Sequence, residues 1–485
     1  MKKHARILLT MILAAMMVGQ AHAFCACPSA AVKPDAEKLA ALLLANSFHE
    51  ADMLAAQLLT RPALVDADMA VCGLAVLKAG RPGEAEVILK RVLQRSPAEP
   101  CAHLGLGRIA SARNNADAAI AHLRRAVASA FFYEEALRLL WRAAQDRGRV
   151  DDLLEIAGLA RERFSRESKP LPPFFTGNLA QVDGLAGKQL FQMEGRSERI
   201  RVPLVASERH GGIRMIPLAL NGKGDCLFHL DSALAGFMTI SPMLADELGL
   251  AQSGSDTSLG VGTAAIATRF AVLDTVAFGA LVFRNVPVMV SDIATLRGRR
   301  EGLVGTAFLK RFNVTIDIEA RTLDLFPLDR PDLFASTIDR AAVAADVPLL
   351  IFDQTVVAAS VAGSPPALYI LDSAASTHLV DSGFFAEHIR PKIDPGRIVQ
   401  GRIRGAGGAQ HVLRVEGLPI ALGSLVCAGQ QVNEFPMAGL NGISGRYAAG
   451  LLGNPLLWPF RVHMDFRAGR LILERFPRST KSEGN

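Results

Sequence analysis

The chain has 485 residues, 50% of them apolar and 21% charged, a composition that supports sizeable cores and excludes a disordered chain. Its 53 Lys and Arg against 47 Asp and Glu form no basic stripe, and 2 Trp with 3 Tyr make no aromatic platform for bases, so nucleic acid is not an expected partner. The length allows two to four domains.

Residues 1–23 read as a secretory signal peptide. Lys2, Lys3 and Arg6 precede an apolar run over 7–19, and Ala21-His22-Ala23 forms an A-x-A cleavage site. The run is too short to span a bilayer comfortably. Phe24 before Cys25 is too bulky for lipoprotein processing, and no later stretch is long and apolar enough to cross. The expected product is exported, periplasmic or secreted, with no membrane span after cleavage. Cleavage leaves 50 Lys and Arg against 47 Asp and Glu. Six cysteines remain: Cys25, Cys27, Cys72, Cys101, Cys226 and Cys427. An exported compartment permits disulfides, but the spacing sets no framework and contains no C-x-x-C pair. Cys72 and Cys101 are expected to pack between helices, and Cys25-x-Cys27 leaves a bridge open.

Residues 35–165 are rich in Ala, Leu and Arg with helical periodicity. A 34-residue repeat runs through them. Gly73 maps onto Gly107, Ala85 onto Ala119, Leu89 onto Leu123, and the turn residue Gly80 onto Asn114 and then Gly148. That period is one helix–turn–helix hairpin. The stretches GLAVLKAGRPGEAEVILKRVL and GLGRIASARNNADAAIAHLRRAV resemble tetratricopeptide repeats. A weaker third copy covers about 135–165, and a degenerate helix pair is expected before them. The resemblance implies a surface that recruits a protein or peptide, without chemistry of its own.

SKPLPPFFTG ends the helices and opens an expected linker over 166–199. Short apolar strands with Gly turns follow in two sets, over 200–328 and 347–478, which reads as antiparallel β. The stretch 329–346 reads as a polar linker with helical tendency. The expected fold class is α+β: an all-α hairpin stack followed by an all-β, two-lobed domain.

The two β segments repeat each other. At an offset of 141, Leu230-Asp231-Ser232-Ala233 meets Leu371-Asp372-Ser373-Ala374. At 148, Gly302-Leu303-Val304-Gly305 meets Gly450-Leu451-Leu452-Gly453, and Asp317 meets Asp465. The stretches LFHLDSALAGFMTISPMLADELGL and GLVGTAFLKRFNVTIDIEARTLDLF, echoed by LYILDSAASTHLVD and GLLGNPLLWPFRVHMDFRAGRLIL, resemble lobes of retropepsin-like aspartic proteases. The resemblance covers about 55% of the chain.

The resemblance implies an aspartic endopeptidase with Asp231 and Asp372 as its catalytic dyad, one from each lobe. Metal-free peptide hydrolysis needs one ionised carboxylate to take a proton from water and one protonated carboxyl to support the scissile carbonyl. Two carboxyls about 3 Å apart share a proton and titrate as a unit. Ser232 and Ser373 are expected to hold the two Asp loops together across the lobes. The family carries Gly where this chain has Ala233 and Ala374, so closure depends on a negative φ at both. Flap tips are expected at Leu259-Gly260-Val261-Gly262-Thr263 and at 404–409, which includes Gly405, Gly407 and Gly408.

Other chemistry has little support. His49-Glu50 lacks the second His of a zinc helix, the Gly-rich tips lack a phosphate-loop lysine, and there is no G-x-S-x-G elbow. No metal or cofactor is expected. His229, His378 and His411 read as strand or loop residues, and Asp317 and Asp465 as structural hydrogen-bonding groups. The alternative function is a catalytically inactive protein that binds peptides in the same cleft. Pairing of lobes between chains is a further arrangement open to the sequence.

Overall fold

The computed structural model describes residues 34–477 except 183–184, 196–197, 208–212, 259, 263 and 298. The expected signal peptide, Cys25, Cys27, Leu259 and Thr263 lie outside the described residues. A helical region comes first and a β-rich region follows, an α+β layout. Among the described residues no helix is long and apolar enough to cross a membrane.

Helices Pro34–Leu44 and Phe48–Leu59, Asp66–Lys78 and Pro82–Arg95, Pro100–Ala112 and Ala116–Ala126, and Tyr133–Arg147 and Val150–Arg166 form four hairpins. The 34-residue repeat has a direct physical cause. A Cβ on Gly73 would lie 2.6 Å from Leu89, and one on Gly107 2.7 Å from Leu123, so the small residue admits the neighbouring helix's leucine. The turns share a second device. Gly80, Asn114 and Gly148 all have left-handed backbone, with φ of 94°, 56° and 71°. Asn46, 34 residues before Gly80, has φ of 59° and closes the first hairpin in the same way.

The stretch 166–199, expected as a linker, instead carries helix Pro173–Val182 and strand Gln192–Glu194. Pro173 stands at the helix start, where its missing N–H costs nothing. The stretch 329–346, expected as a linker with helical tendency, carries helix Pro331–Ala335 and the start of strand Val343–Pro348.

Each lobe is a curled sheet built around its Asp strand. Lys223–Leu230 pairs in parallel with Glu301–Val304, and Ala367–Asp372 in parallel with Gly450–Gly453. The glycines of this second strand are packing residues. A Cβ on Gly302 would lie 2.2 Å from the Phe228 ring, and one on Gly450 2.1 Å from the Leu379 carbonyl. Cβ atoms on Gly305 and Gly453 would lie 2.2 Å and 2.3 Å from the carbonyls of Gly236 and Thr377.

A six-stranded sheet joins the lobes. Its order is Val343–Pro348, Arg470–Arg475, Phe460–Asp465, Phe312–Asp317, Thr322–Pro327, Ile200–Pro203. At its centre Val314 faces Met464, Thr315 faces His463 and Ile316 faces Val462. Thr315 and His463 are equivalent at the 148-residue offset and hydrogen bond at 2.9 Å, so a pseudo-two-fold axis passes between them. Both are buried, as is Glu474, which hydrogen bonds the other nitrogen of His463 at 3.0 Å.

Candidate active site

Each Asp stands at the end of an apolar strand, immediately before a tight turn. The amides of Ala233 and Leu234 both donate to Asp231 Oδ1 at 2.9 Å, and the amide of Ala374 donates to Asp372 Oδ1 at 2.8 Å. Ala233 and Ala374 are not among the residues with positive φ. The backbone therefore accepts Ala at both positions with the carboxylate hydrogen bond intact, and both alanines line the cleft. Replacing both with Gly is expected to leave activity within a few-fold and to cost about 0.5–1 kcal/mol of stability per site through backbone entropy. Denaturant melts beside initial rates check this.

The serines lock the two turns to each other. Ser232 Oγ donates to the Leu371 carbonyl and Ser373 Oγ to the Leu230 carbonyl, each at 2.6 Å. The amide of Ser232 donates to Ser373 Oγ at 3.2 Å, and the amide of Ser373 to Ser232 Oγ at 3.1 Å. Both residues are buried. This reciprocal set forms within one chain and brings Asp231 and Asp372 into one cleft of about 390 Å³. Its walls are largely apolar, with Ile266, Met289, Ile293, Leu379 and Leu451 among them.

Burial pushes the Asp231 carboxyl up to about 6 against the pull of the Ala233 and Leu234 amides. Burial, and then the negative charge of Asp231, push Asp372 well above the usual carboxylate range. Such a pair holds one proton over a range of pH where isolated carboxyls hold none.

The flap candidates meet above the cleft. The second is the tip of the hairpin Ile398–Gly405 and Gly408–Leu422. The first is the turn between Ser253–Ser258 and Ile266–Phe278. Gly262 bridges Gly407, the Gly407 amide donates to the Val261 carbonyl at 2.9 Å, and the Ala264 amide to the Gly407 carbonyl at 3.0 Å. Gly260 and Gly405 line the cleft, and Gly408 pairs with Gly405 across the hairpin. The glycines permit this contact: a Cβ on Gly262 would lie 2.3 Å from the Gly407 carbonyl carbon, and one on Gly405 2.5 Å from the Val261 oxygen.

Of the remaining candidates, Asp317, Asp465 and His411 fall elsewhere. Asp317 accepts from the Ala320 amide and from Arg461, and Asp465 from the Ala468 amide, each in a hairpin of the joining sheet. His411 is an exposed strand residue opposite Arg402. His229 is a buried strand residue that also lines the cleft, 3.8 Å from Glu301. Among the described residues no His, Cys, Asp and Glu cluster could hold a metal, and Cys72, Cys101, Cys226 and Cys427 are free thiols.

The structure adds residues to the site. Thr306 Oγ1 donates to the Ser232 carbonyl at 2.8 Å, and Thr355 Oγ1 lies 2.9 Å from the same carbonyl. His378 Nδ1 accepts from the Gly453 amide at 3.0 Å while Nε2 faces Gln430 Oε1, and burial lowers its pKa. Their counterparts in the other lobe are of different types (Asn454, Arg214 and Phe237), so internal repetition gave no signal for them.

Two family models match this chain: Tetratricopeptide repeat over residues 76–143 and Aspartyl protease over residues 216–308. The chain carries a tetratricopeptide repeat followed by an aspartyl protease domain. The protease match falls on the first lobe, Asp231 included. The second lobe is tied to it by the matching strands, the Asp-Ser turn and the shared axis. No curated protein matches the chain.

Proposed function

We propose that this chain is an exported aspartic endopeptidase that cleaves peptides or unfolded proteins with a water held between Asp231 and Asp372. The reciprocal Ser232–Ser373 hydrogen bonding carries the reading, because it gathers two proton-sharing carboxyls in one cleft. The ionised carboxylate takes a proton from water as the oxygen attacks the scissile carbonyl. The protonated partner donates to the carbonyl oxygen, and the proton gained from water passes to the leaving amine as the C–N bond breaks. No metal or cofactor enters.

The helical repeats would recruit the substrate or a partner. The surface suited to this is the outer face of the second helices, Pro82–Arg95, Ala116–Ala126 and Val150–Arg166, each of which buries one side only. The Ala233 and Ala374 methyls on the cleft wall favour a second reading, a peptide-binding protein that does not cleave.

Cleavage of a reduced, alkylated protein by the mature chain decides between them. Under the first reading kcat/KM follows a bell in pH. It rises through about 6 as the pair loses its first proton and falls at higher pH as the second leaves. Rates unaffected by Asp substitution would sink the proposed dyad; binding without cleavage supports the second reading.

A further inference from the structure

Three consecutive residues of the second lobe face three different parts of the molecule. Asp353 forms an ion pair with Arg142 of helix Tyr133–Arg147. Gln354 lies on the wall of the cleft. Thr355 sets its hydroxyl 2.9 Å from the Ser232 carbonyl and 3.1 Å from that of Leu371, the two carbonyls at the junction of the Asp turns.

Asp353 forms the apex of a tight hairpin in which Phe352 pairs with Gln354. Its φ is 68°, the left-handed conformation of this tight turn, which Asp adopts more readily than most side chains. Its surroundings are arginines of the helical stack. Burial would raise the Asp353 carboxyl, but Arg142, Arg138 and Arg108 outweigh it and hold it at about 2.

The same face of the stack grips a second piece of the cleft wall. Leu440, on the wall, belongs to helix Ala438–Ser444. The last carbonyls of that helix, on Ile443 and Ser444, accept from Arg138 at 3.4 Å and from Arg108 at 3.0 Å. The Tyr447 amide donates to the Lys78 carbonyl at 2.7 Å. The left-handed turns of the hairpins abut the β region as well: Asn114 donates to the Lys310 carbonyl at 2.8 Å, and the Leu190 amide donates to the Gly148 carbonyl at 2.7 Å.

Gln354 shows what this bracing serves. Its Oε1 is buried and has no hydrogen-bond partner among the described residues. A buried acceptor without a donor is costly, and an extended peptide entering the cleft brings backbone N–H donors. We propose that Gln354 is a substrate-binding residue that accepts a hydrogen bond from a peptide N–H, and that Arg142 positions it through Asp353. The proposal rests on the endopeptidase reading. It makes the helical stack part of the architecture of the active site.

Steady-state kinetics on the full mature chain test it. Gln354→Ala raises KM about three- to tenfold, the worth of one hydrogen bond, with kcat nearly unchanged. Arg142→Ala does the same without moving the pH profile, and Arg142→Lys, which keeps the charge and loses the planar fork, falls between. The double variant is no worse than either single, because both act through one contact. Additive effects, or an unchanged KM in either single variant, overturn the proposal while leaving the endopeptidase reading intact. If the wild type cleaves nothing, that reading fails by itself. Binding of fluorescently labelled unfolded protein and hydrogen exchange at residues 353–356 then decide this one. Weaker binding by Gln354→Ala together with faster exchange in Arg142→Ala supports it; equal values overturn it.

Discussion

Asp231→Asn and Asp372→Asn are each expected to lower cleavage by about 10²–10⁴-fold, because each removes one half of a shared acid–base pair. The double variant should be little worse than either single one, since the two carboxyls act as a unit. Loss in only one variant would break the dyad. The same substitutions carry an opposite effect on stability. Both carboxyls stand above their ordinary value of 3.8 in the folded chain. The folded state therefore holds protons that the unfolded chain has released, and the linked stability is fully present below about pH 4. It is lost as pH rises through about 6 and further as Asp372 ionises. Each Asn variant should melt above the wild type at pH 8 and converge with it at pH 4. Thermal melts at both pH values check the sign.

The second large effect concerns the lock between the turns. Ser232→Ala removes one hydroxyl donor from the buried Leu371 carbonyl, which Thr355 Oγ1 still reaches at 3.1 Å, and leaves the Ser373 amide without its acceptor. Ser373→Ala removes the hydroxyl donor from the Leu230 carbonyl and the acceptor for the Ser232 amide. Each orphaned buried group costs about 1–3 kcal/mol, so each variant should lose a few kcal/mol of stability and most activity. Because the contacts are reciprocal, the two substitutions should be non-additive by about 0.5–3 kcal/mol. Urea melts of the four chains of the cycle measure this. A strictly additive pair would show that the serines act within their own lobes.

What could be read from the sequence was whatever the chain repeats. Asp231-Ser232 and Asp372-Ser373, the two Gly-apolar-apolar-Gly strands, and the Gly80, Asn114 and Gly148 turns each recur at a fixed offset. The glycine strands and the turns recur for a steric cause, a carbonyl or ring too close for a Cβ or a left-handed φ, and the Asp-Ser pairs recur because their hydrogen bonds are reciprocal. Asn46 obeyed the same period, but nothing around it resembled the later hairpins closely enough to place it. Helix Pro173–Val182 was hidden by prolines that read as breakers and in fact start it. Thr306 and Thr355 were hidden because the lobes differ at those points, and the same difference hid the contact of His378, named as a strand or loop residue, with the Gly453 amide. Gln354 and Leu440 line the cleft from segments without a counterpart in the first lobe's repeat pattern, next to residues that contact the helices, and no local pattern encodes such contacts.

That difference between the lobes is sharpest on the axis of the joining sheet. A homodimer must place the same side chain on both sides of its symmetry axis. Here the axis separates a hydroxyl, Thr315, from an imidazole, His463. The glutamate that hydrogen bonds that imidazole, Glu474, has Phe326 as its counterpart. Two first lobes would set threonine against threonine beside two buried phenylalanines. Two second lobes would crowd two histidine–glutamate pairs into the same interior. Neither half can stand in for the other: two copies of one lobe would not rebuild the hydrogen bond that crosses this axis.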